Sequence, residues 1–215
     1  MIMMQAFRRL MVFFLAMGFS ICEGFPQIND LVKDTGTFLD VRDNQTYRWV
    51  QIGGQVWMAQ NLNYKVPKSS WCYLNDSIFC LEYGRLYNWS SANSVCPQGW
   101  HLPSNEEWTK LTNVLGSQAG DMLKENDTLH WLPPNDGATV GYAFFNARAA
   151  GSRCDLDLGT KSYADIKKFA MYWSSTKKSS QKAQSRFLYY RYDNLSIKEN
   201  SIYYGFSVRC IKNLP

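Results

Sequence analysis

The stretch Cys96-Pro97-Gln98-Gly99-Trp100-His101-Leu102-Pro103-Ser104-Asn105-Glu106-Glu107-Trp108 carries the most local instruction in the chain. Ser104 and Glu107 stand three apart, the spacing of a capping box, in which the serine hydroxyl accepts from the Glu107 amide and the glutamate returns to the Ser104 amide. A helix therefore starts here. Trp108, Leu111 and Leu115 place one apolar stripe on it, and Gly116 stands where a C-terminal cap is wanted. Glu106 and Glu107 are explained as first-turn anions facing the helix dipole, ahead of any role in acid–base catalysis. His101 reads as a core-edge residue, because no serine or cysteine nucleophile signature accompanies it.

Outward from this helix the pattern is mostly strand. Thr37 to Val41, Thr46 to Ile52 and Gln55 to Met58 form a meander broken by Arg42 to Gln45 and by Gly53-Gly54. Leu86 to Ser94 suits a short helix. Glu125 to Lys168 is a loop-rich excursion punctuated by glycines and by Pro133-Pro134-Asn135-Asp136-Gly137. Met171 to Ser175, Arg186 to Tyr192 and Tyr203 to Ile211 read as closing strands. Strands on either side of a central helical region predict a single compact α+β domain, mainly antiparallel, with a few short helices.

The chain has 215 residues, 46% hydrophobic and 19% charged, which is a globular composition. Its net charge of +5, from 23 basic and 18 acidic residues, is spread without a long basic run, so nucleic acid is not an expected partner. Arg8 and Arg9 precede the apolar stretch Leu10 to Ile21, the pattern of a secretory signal over residues 1–24 and too short to span a membrane. Ala16 and Gly18, or Cys22 and Gly24, supply small-residue cleavage alternatives. Ile21 just before Cys22 departs from a lipoprotein signal, so export to the extracellular space or cell surface is favoured over lipid anchoring. No transmembrane segment is expected in the mature chain. Residues 25–36 read as a linker, 37–211 as the domain and 212–215 as a tail.

An exported chain meets an oxidising compartment, and five cysteines follow the signal. Turn formers Asn75, Asp76 and Ser77 favour a hairpin-like loop that pairs Cys72 with Cys80. Pairing Cys96 with Cys210 ties the end of the chain to its middle, a closure expected to stabilise by roughly 4–5 kcal/mol on chain entropy. Cys154 is left as a buried thiol, a partner for an uncleaved Cys22, or an intermolecular link. Without a C-x-x-C and with His101 and His130 as the only histidines, neither a metal site nor a cofactor is expected.

The capped motif, together with Tyr83-Gly84-Arg85-Leu86-Tyr87-Asn88-Trp89, Gly54 to Leu62, Tyr172-Trp173-Ser174-Ser175-Thr176 and Tyr204-Gly205-Phe206-Ser207-Val208-Arg209-Cys210, resembles the Fibrobacter succinogenes major paralogous domain over Thr37 to Ile211. Its Gly-Trp-His-Leu-Pro segment is similar to that of C-type-lectin-like and formylglycine-generating folds, which implies a disulfide-bonded, C-type-lectin-like architecture. A formylglycine-generating oxidase would need a closely spaced cysteine pair to bind copper, and none is present. Calcium-lectin signatures are also absent, and calcium is not expected. Asp155, Asp157 and Asp165 could serve a hydrolase only if folding met them with other carboxylates.

The first expectation for function is a non-catalytic surface-binding module for carbohydrate or another cell-envelope polymer, because flat aromatic rings stack on sugars while amides and carboxylates supply hydrogen bonds. The candidate residues are Trp131, Asn135 and Asp136 on the excursion, and Tyr190, Asp193 and Asn194 near the end. A protein-interaction role without small-molecule chemistry stands second and an enzyme third.

Overall fold

The computed structural model describes residues 31–133, 143–155 and 161–213. The expected signal segment, and Asn135 and Asp136, lie outside the described residues. β1 (Val32–Asp40), β2 (Gln45–Ile52) and β3 (Gln55–Met58) form the expected meander. β1 thus begins within the stretch that composition assigns to a linker. β4 (Ser70–Trp71) is followed by a 3-10 turn and by helix α1 (Ser77–Tyr83). Asp76 caps α1 by accepting from the Ile78 amide at 2.9 Å. The Cys72–Cys80 bridge is present, but it joins the start of this turn to the helix rather than closing a hairpin. The residues read as turn formers are a helix cap, because an aspartate that satisfies a free amide starts a helix as readily as it makes a turn.

The segment read as one helix from Leu86 divides into β5 (Leu86–Tyr87) and helix α2 (Trp89–Ala92). Asn88 makes the division, its side chain accepting from the Ser91 amide at 2.9 Å. β6 (Trp100–His101) leads into α3 (Asn105–Leu115), whose capping box is complete, with Ser104 and Glu107 bonded reciprocally at 3.2 and 2.7 Å. Trp108, Leu111 and Leu115 are all buried. Gly116 follows with φ of 76°. α4 (Ala119–Leu123) was not anticipated; it is too short to display a helical period.

The long excursion returns as the hairpin β7 (Ser152–Asp155) and β8 (Lys161–Ala164). β9 (Phe169–Lys177), β10 (Lys182–Tyr189) and β11 (Ser196–Ser201) then form an antiparallel sheet. β10 stops at Tyr189, short of the expected Tyr192. β11, Ser-Ile-Lys-Glu-Asn-Ser, is an exposed, polar edge strand with no apolar alternation to announce it. The final run is strand only at β12 (Ile211–Lys212), which sits between β3 and β6 in a sheet of order β1-β2-β3-β12-β6. Before it, Tyr204 to Cys210 makes isolated bridges to Tyr87, Arg153 and Tyr172. Phe206, Ser207, Val208, Arg209 and Cys210 are all buried, so this segment is covered on every side instead of alternating between core and solvent.

The result is mostly antiparallel strand in several small sheets, with few short helices and two disulfides. Cys96–Cys210 closes across 114 residues, as expected. One core cluster packs α3 on the five-stranded sheet through Trp57 and Trp108, whose ring centroids lie 4.6 Å apart, with Tyr172 and Phe145 alongside. A second gathers Tyr47, Tyr87, Trp173, Phe206 and Val208 around the bridge, and a third, smaller one joins Tyr73, Tyr83, Leu86 and Ala150. Trp173 donates its indole N–H to the Tyr87 carbonyl at 2.7 Å, so the aromatic core is fixed by polar anchors as well as area.

Two stability outcomes follow from this packing. Ser104→Ala removes one half of the capping box and is expected to cost about 1 kcal/mol in urea unfolding, whereas Trp108→Ala should cost about 3–5 kcal/mol by emptying the core under α3. In alkali, burial holds the phenols of Tyr47, Tyr83, Tyr87 and Tyr172 above their ordinary range, that of Tyr83 up to about 12. A phenol raised on folding stabilises fully below pH of about 10 and loses that contribution as pH climbs through its folded value. Arg186 and Arg209, pushed down to about 10 by burial, act in the opposite sense over the same range, while Tyr73 and Tyr163, also raised by burial, act with the other phenols. The urea midpoint should therefore fall above pH of about 10, with part of the phenolate absorbance appearing only on unfolding. Titration of every tyrosine near pH of about 10 while the protein remains folded would contradict this.

Candidate functional site

Tyr190, Asp193 and Asn194 come together at the turn after β10. Tyr189 stands 4.7 Å from Tyr190 and 5.0 Å from Tyr192 between ring centroids. Tyr192 is 56% exposed, Asp193 and Asn194 are exposed, and Tyr190 is half-buried. The rings continue along the sheet: Tyr189 lies nearly parallel to Phe187 at 6.0 Å, and Phe187 meets Phe169 across the β9–β10 pair at 5.5 Å. Alternation on a strand puts Phe187 and Tyr189 on one face, which is why the strip forms. Arg191 lies over the Tyr190 ring at 5.0 Å.

This turn is held from beneath by α4. The Gly120 amide donates to the Asp193 carbonyl at 2.7 Å, and a Cβ on Gly120 would lie 2.5 Å from the Asn194 carbonyl oxygen, so only glycine permits the approach. Lys124, almost fully buried, donates from Nζ to the Tyr192 carbonyl and to Asp121 Oδ1, both at 2.8 Å. The buried ammonium is thereby paired and hydrogen-bonded, as a charge in that position requires. These anchors, Gly120 and Lys124, escaped sequence reading; a short helix with a lysine gives no local sign that it supports a distant turn.

Trp131 has to be withdrawn from the candidate surface. Its side chain is fully buried in the core cluster that also holds Trp108 and Leu111, and its indole N–H donates to the Ala147 carbonyl at 2.8 Å. A tryptophan beside turn residues suggests a ring presented to ligand, but here its apolar area is claimed by the core.

Two groups of titratable side chains lie elsewhere. His101 is half-exposed, bonded through Nε2 to Glu107 Oε1 at 2.8 Å and through Nδ1 to Asn213 Oδ1 at 2.6 Å. It stands at the edge of the sheet, as expected, beside a cleft of about 420 Å³ that also touches Gln55, Lys110 and Lys212. The second group, Glu125, Asp127 and His130, has ligand atoms within 4.8 Å of one another. His130 is hydrogen-bonded to Asp127 and lies 3.3 Å from Glu82. Arg148 engages both Glu125 oxygens through Nε and Nη2. His130 and Arg148 interleaved with three carboxylates make a hydrogen-bonded polar network, which the sequence did not reveal because Glu82 and Arg148 come from segments distant from Glu125, Asp127 and His130.

Cys210 is bonded to Cys96, so its sulfur is no free thiolate, and Cys154 is the free cysteine among the described residues, partly buried, with Sγ 3.7 Å from Ser152 Oγ. Persistent disulfides belong to an oxidising, exported environment. No helix among the described residues is long and apolar enough to cross a membrane.

Neither the curated proteins nor the solved structures compared with this chain include a match. The Fibrobacter succinogenes major domain matches residues 50–212, from β2 through β12, and so takes in the capped helix, both disulfides and the closing segment. The chain belongs to the Fibrobacter succinogenes major domain family.

Proposed function

We propose that this chain is a secreted or cell-surface, non-catalytic binding module that takes a carbohydrate or another cell-envelope polymer on the strip from Phe187 to Asn194. The C-type-lectin-like fold implied by the Gly-Trp-His-Leu-Pro resemblance is part of this reading. The observation that carries it is the exposed, anchored tyrosine turn. Tyr192 presents its ring beside Tyr189 and Tyr190, Asp193 and Asn194 add hydrogen-bonding groups at its rim, and Gly120 and Lys124 fix the backbone. A platform already rigid before binding loses little conformational freedom when a polymer settles on it. An oxidase of the formylglycine-generating type finds no support, since Cys210 is bridged and no cysteine lies close to it in sequence.

A protein-interaction role is the second reading, supported by α1, where Ile78 and Leu81, one turn apart, are 58% and 78% exposed.

Affinity electrophoresis of the exported protein in gels containing plant and bacterial polysaccharides tests the first reading. At least one polymer should retard it, and Tyr190→Ala and Tyr192→Ala should each weaken retention roughly three- to tenfold, with thermal unfolding little changed for the exposed Tyr192. Free migration in every polymer, or retention that both variants preserve, would overturn it.

A further inference from the structure

A second surface feature is built from other elements. Thr35, Thr37, Arg48, Trp49, Phe144 and Asn146 line a cleft of about 290 Å³ where β1 and β2 meet the segment before Ala147. Trp49 pairs with Gly36 in register and its indole lies directly on that residue; a Cβ on Gly36 would stand 2.7 Å from the ring. Phe144 is 52% exposed with φ of 53°, and Asn146, two residues on, has φ of 52°. Left-handed backbone is rare for a bulky side chain and costs energy wherever it occurs. Between them Phe145 is fully buried, so the chain turns its middle aromatic into the core and lifts its neighbour to the cleft wall.

Arg48 is the charged residue among those that line this cleft. Arg48 is exposed, and among the described residues no carboxylate stands within ion-pair distance of it and its guanidinium has no hydrogen-bond partner. Arg48, Ala59 and Asn146 also line an adjoining polar recess of about 40 Å³ whose wall includes Arg148, Arg209 and one carboxylate residue, Glu82, which lies 3.7 Å from Arg148. Burial is the main reason the Arg209 pKa is lowered; Tyr172 and Glu125 act to raise it, and Arg148 and Arg48 act to lower it. A flat aromatic wall beside an unpaired planar fork of N–H donors suits a ligand that combines a ring face with a carboxylate.

The geometry points to the Arg48–Trp49–Phe144 cleft as a binding site for acidic saccharides, a hexuronate seating its pyranose ring against Trp49 and Phe144 and its carboxylate on Arg48. The volume accepts one sugar residue, and the open side lets a polymer continue. This site shares no residue with the tyrosine turn, so the two stand or fall separately.

The test is isothermal titration of the full exported protein with tetragalacturonate, with its methyl ester and with a neutral glucose tetramer as comparisons. Tetragalacturonate should bind, with affinity falling as salt rises, and the ester and neutral tetramer should bind at least about tenfold more weakly, as expected when a charge-assisted hydrogen-bond pair is lost. Arg48→Gln should abolish that preference for charge, and Arg48→Lys should restore part of it. Phe144→Gly suits the left-handed backbone, so it should leave the melting temperature unchanged or higher while weakening tetragalacturonate, a combination that a purely structural phenylalanine would not give. Tyr192→Ala should leave this binding intact. No binding of tetragalacturonate, equal binding of its ester, or wild-type affinity in folded Arg48→Gln and Phe144→Gly would overturn the site.

Discussion

Everything in the molecule converges on the guanidinium of Arg209. It is fully buried and, among the described residues, meets no carboxylate within ion-pair distance; instead it donates from Nε to Asn61 Oδ1 at 2.6 Å, from Nη1 to the carbonyls of Met58 and Phe145, and from Nη2 to the Asn146 carbonyl at 2.7 Å. Its plane lies over Phe145 at 4.5 Å and near Tyr172. Burial of the charge is opposed by desolvation, which pushes its pKa down to about 10, and the four acceptors and two rings offset that cost. One side chain thus joins β3, the segment after it, the 143–147 stretch and the end of the chain. The next residue, Cys210, adds a covalent tie to Cys96, just before the capped helix.

This arrangement explains why the closing segment is so irregular. Its carbonyls and amides serve several neighbours in turn: Met58 and Leu62 on one side, Tyr87, Arg153 and Trp173 on the others. A continuous strand would satisfy two ladders only. By distributing its hydrogen bonds the segment stitches several small sheets together, of which the two-stranded pairs β4–β5 and β7–β8 are too small to stand alone. Both candidate binding surfaces hang from this frame. Phe144 and Asn146 flank a residue that packs under Arg209, and the tyrosine turn rests on α4, whose Leu123 joins the same core.

The parts of this fold that were legible in the sequence are those with local causes. The Ser104–Glu107 box, the Trp108–Leu111–Leu115 stripe and the β1–β3 meander each follow from residues within a few positions of one another, and the two disulfides from cysteine spacing in an oxidising compartment. What escaped has distant causes. Asp76 and Asn88 initiate helices where turn chemistry or a longer helix read equally well, since the same side chains serve all of these. Trp131 was read as surface because nothing nearby shows that Ala147 accepts its indole N–H. Tyr190, Asp193 and Asn194 were legible as a polar, aromatic turn, but their anchoring by Gly120 and Lys124 was not. The Arg48 cleft was missed altogether: a β-branched and aromatic strand carries no sign of which side chains a remote loop will join.

The central claim is that Arg209 holds the separate sheets in one cooperative unit, and Arg209→Met tests it most directly. Methionine fills similar volume but offers no donor, leaving Asn61 Oδ1 and three carbonyls buried and unsatisfied, at about 1–3 kcal/mol for each group that water cannot reach. With both disulfides verified as formed, calorimetry should show the melting temperature of Arg209→Met lowered by at least about 10 °C and its transition broadened, and Arg209→Lys, a point charge unable to span the four acceptors, should recover little. A sharp transition at the wild-type temperature in Arg209→Met would contradict the account.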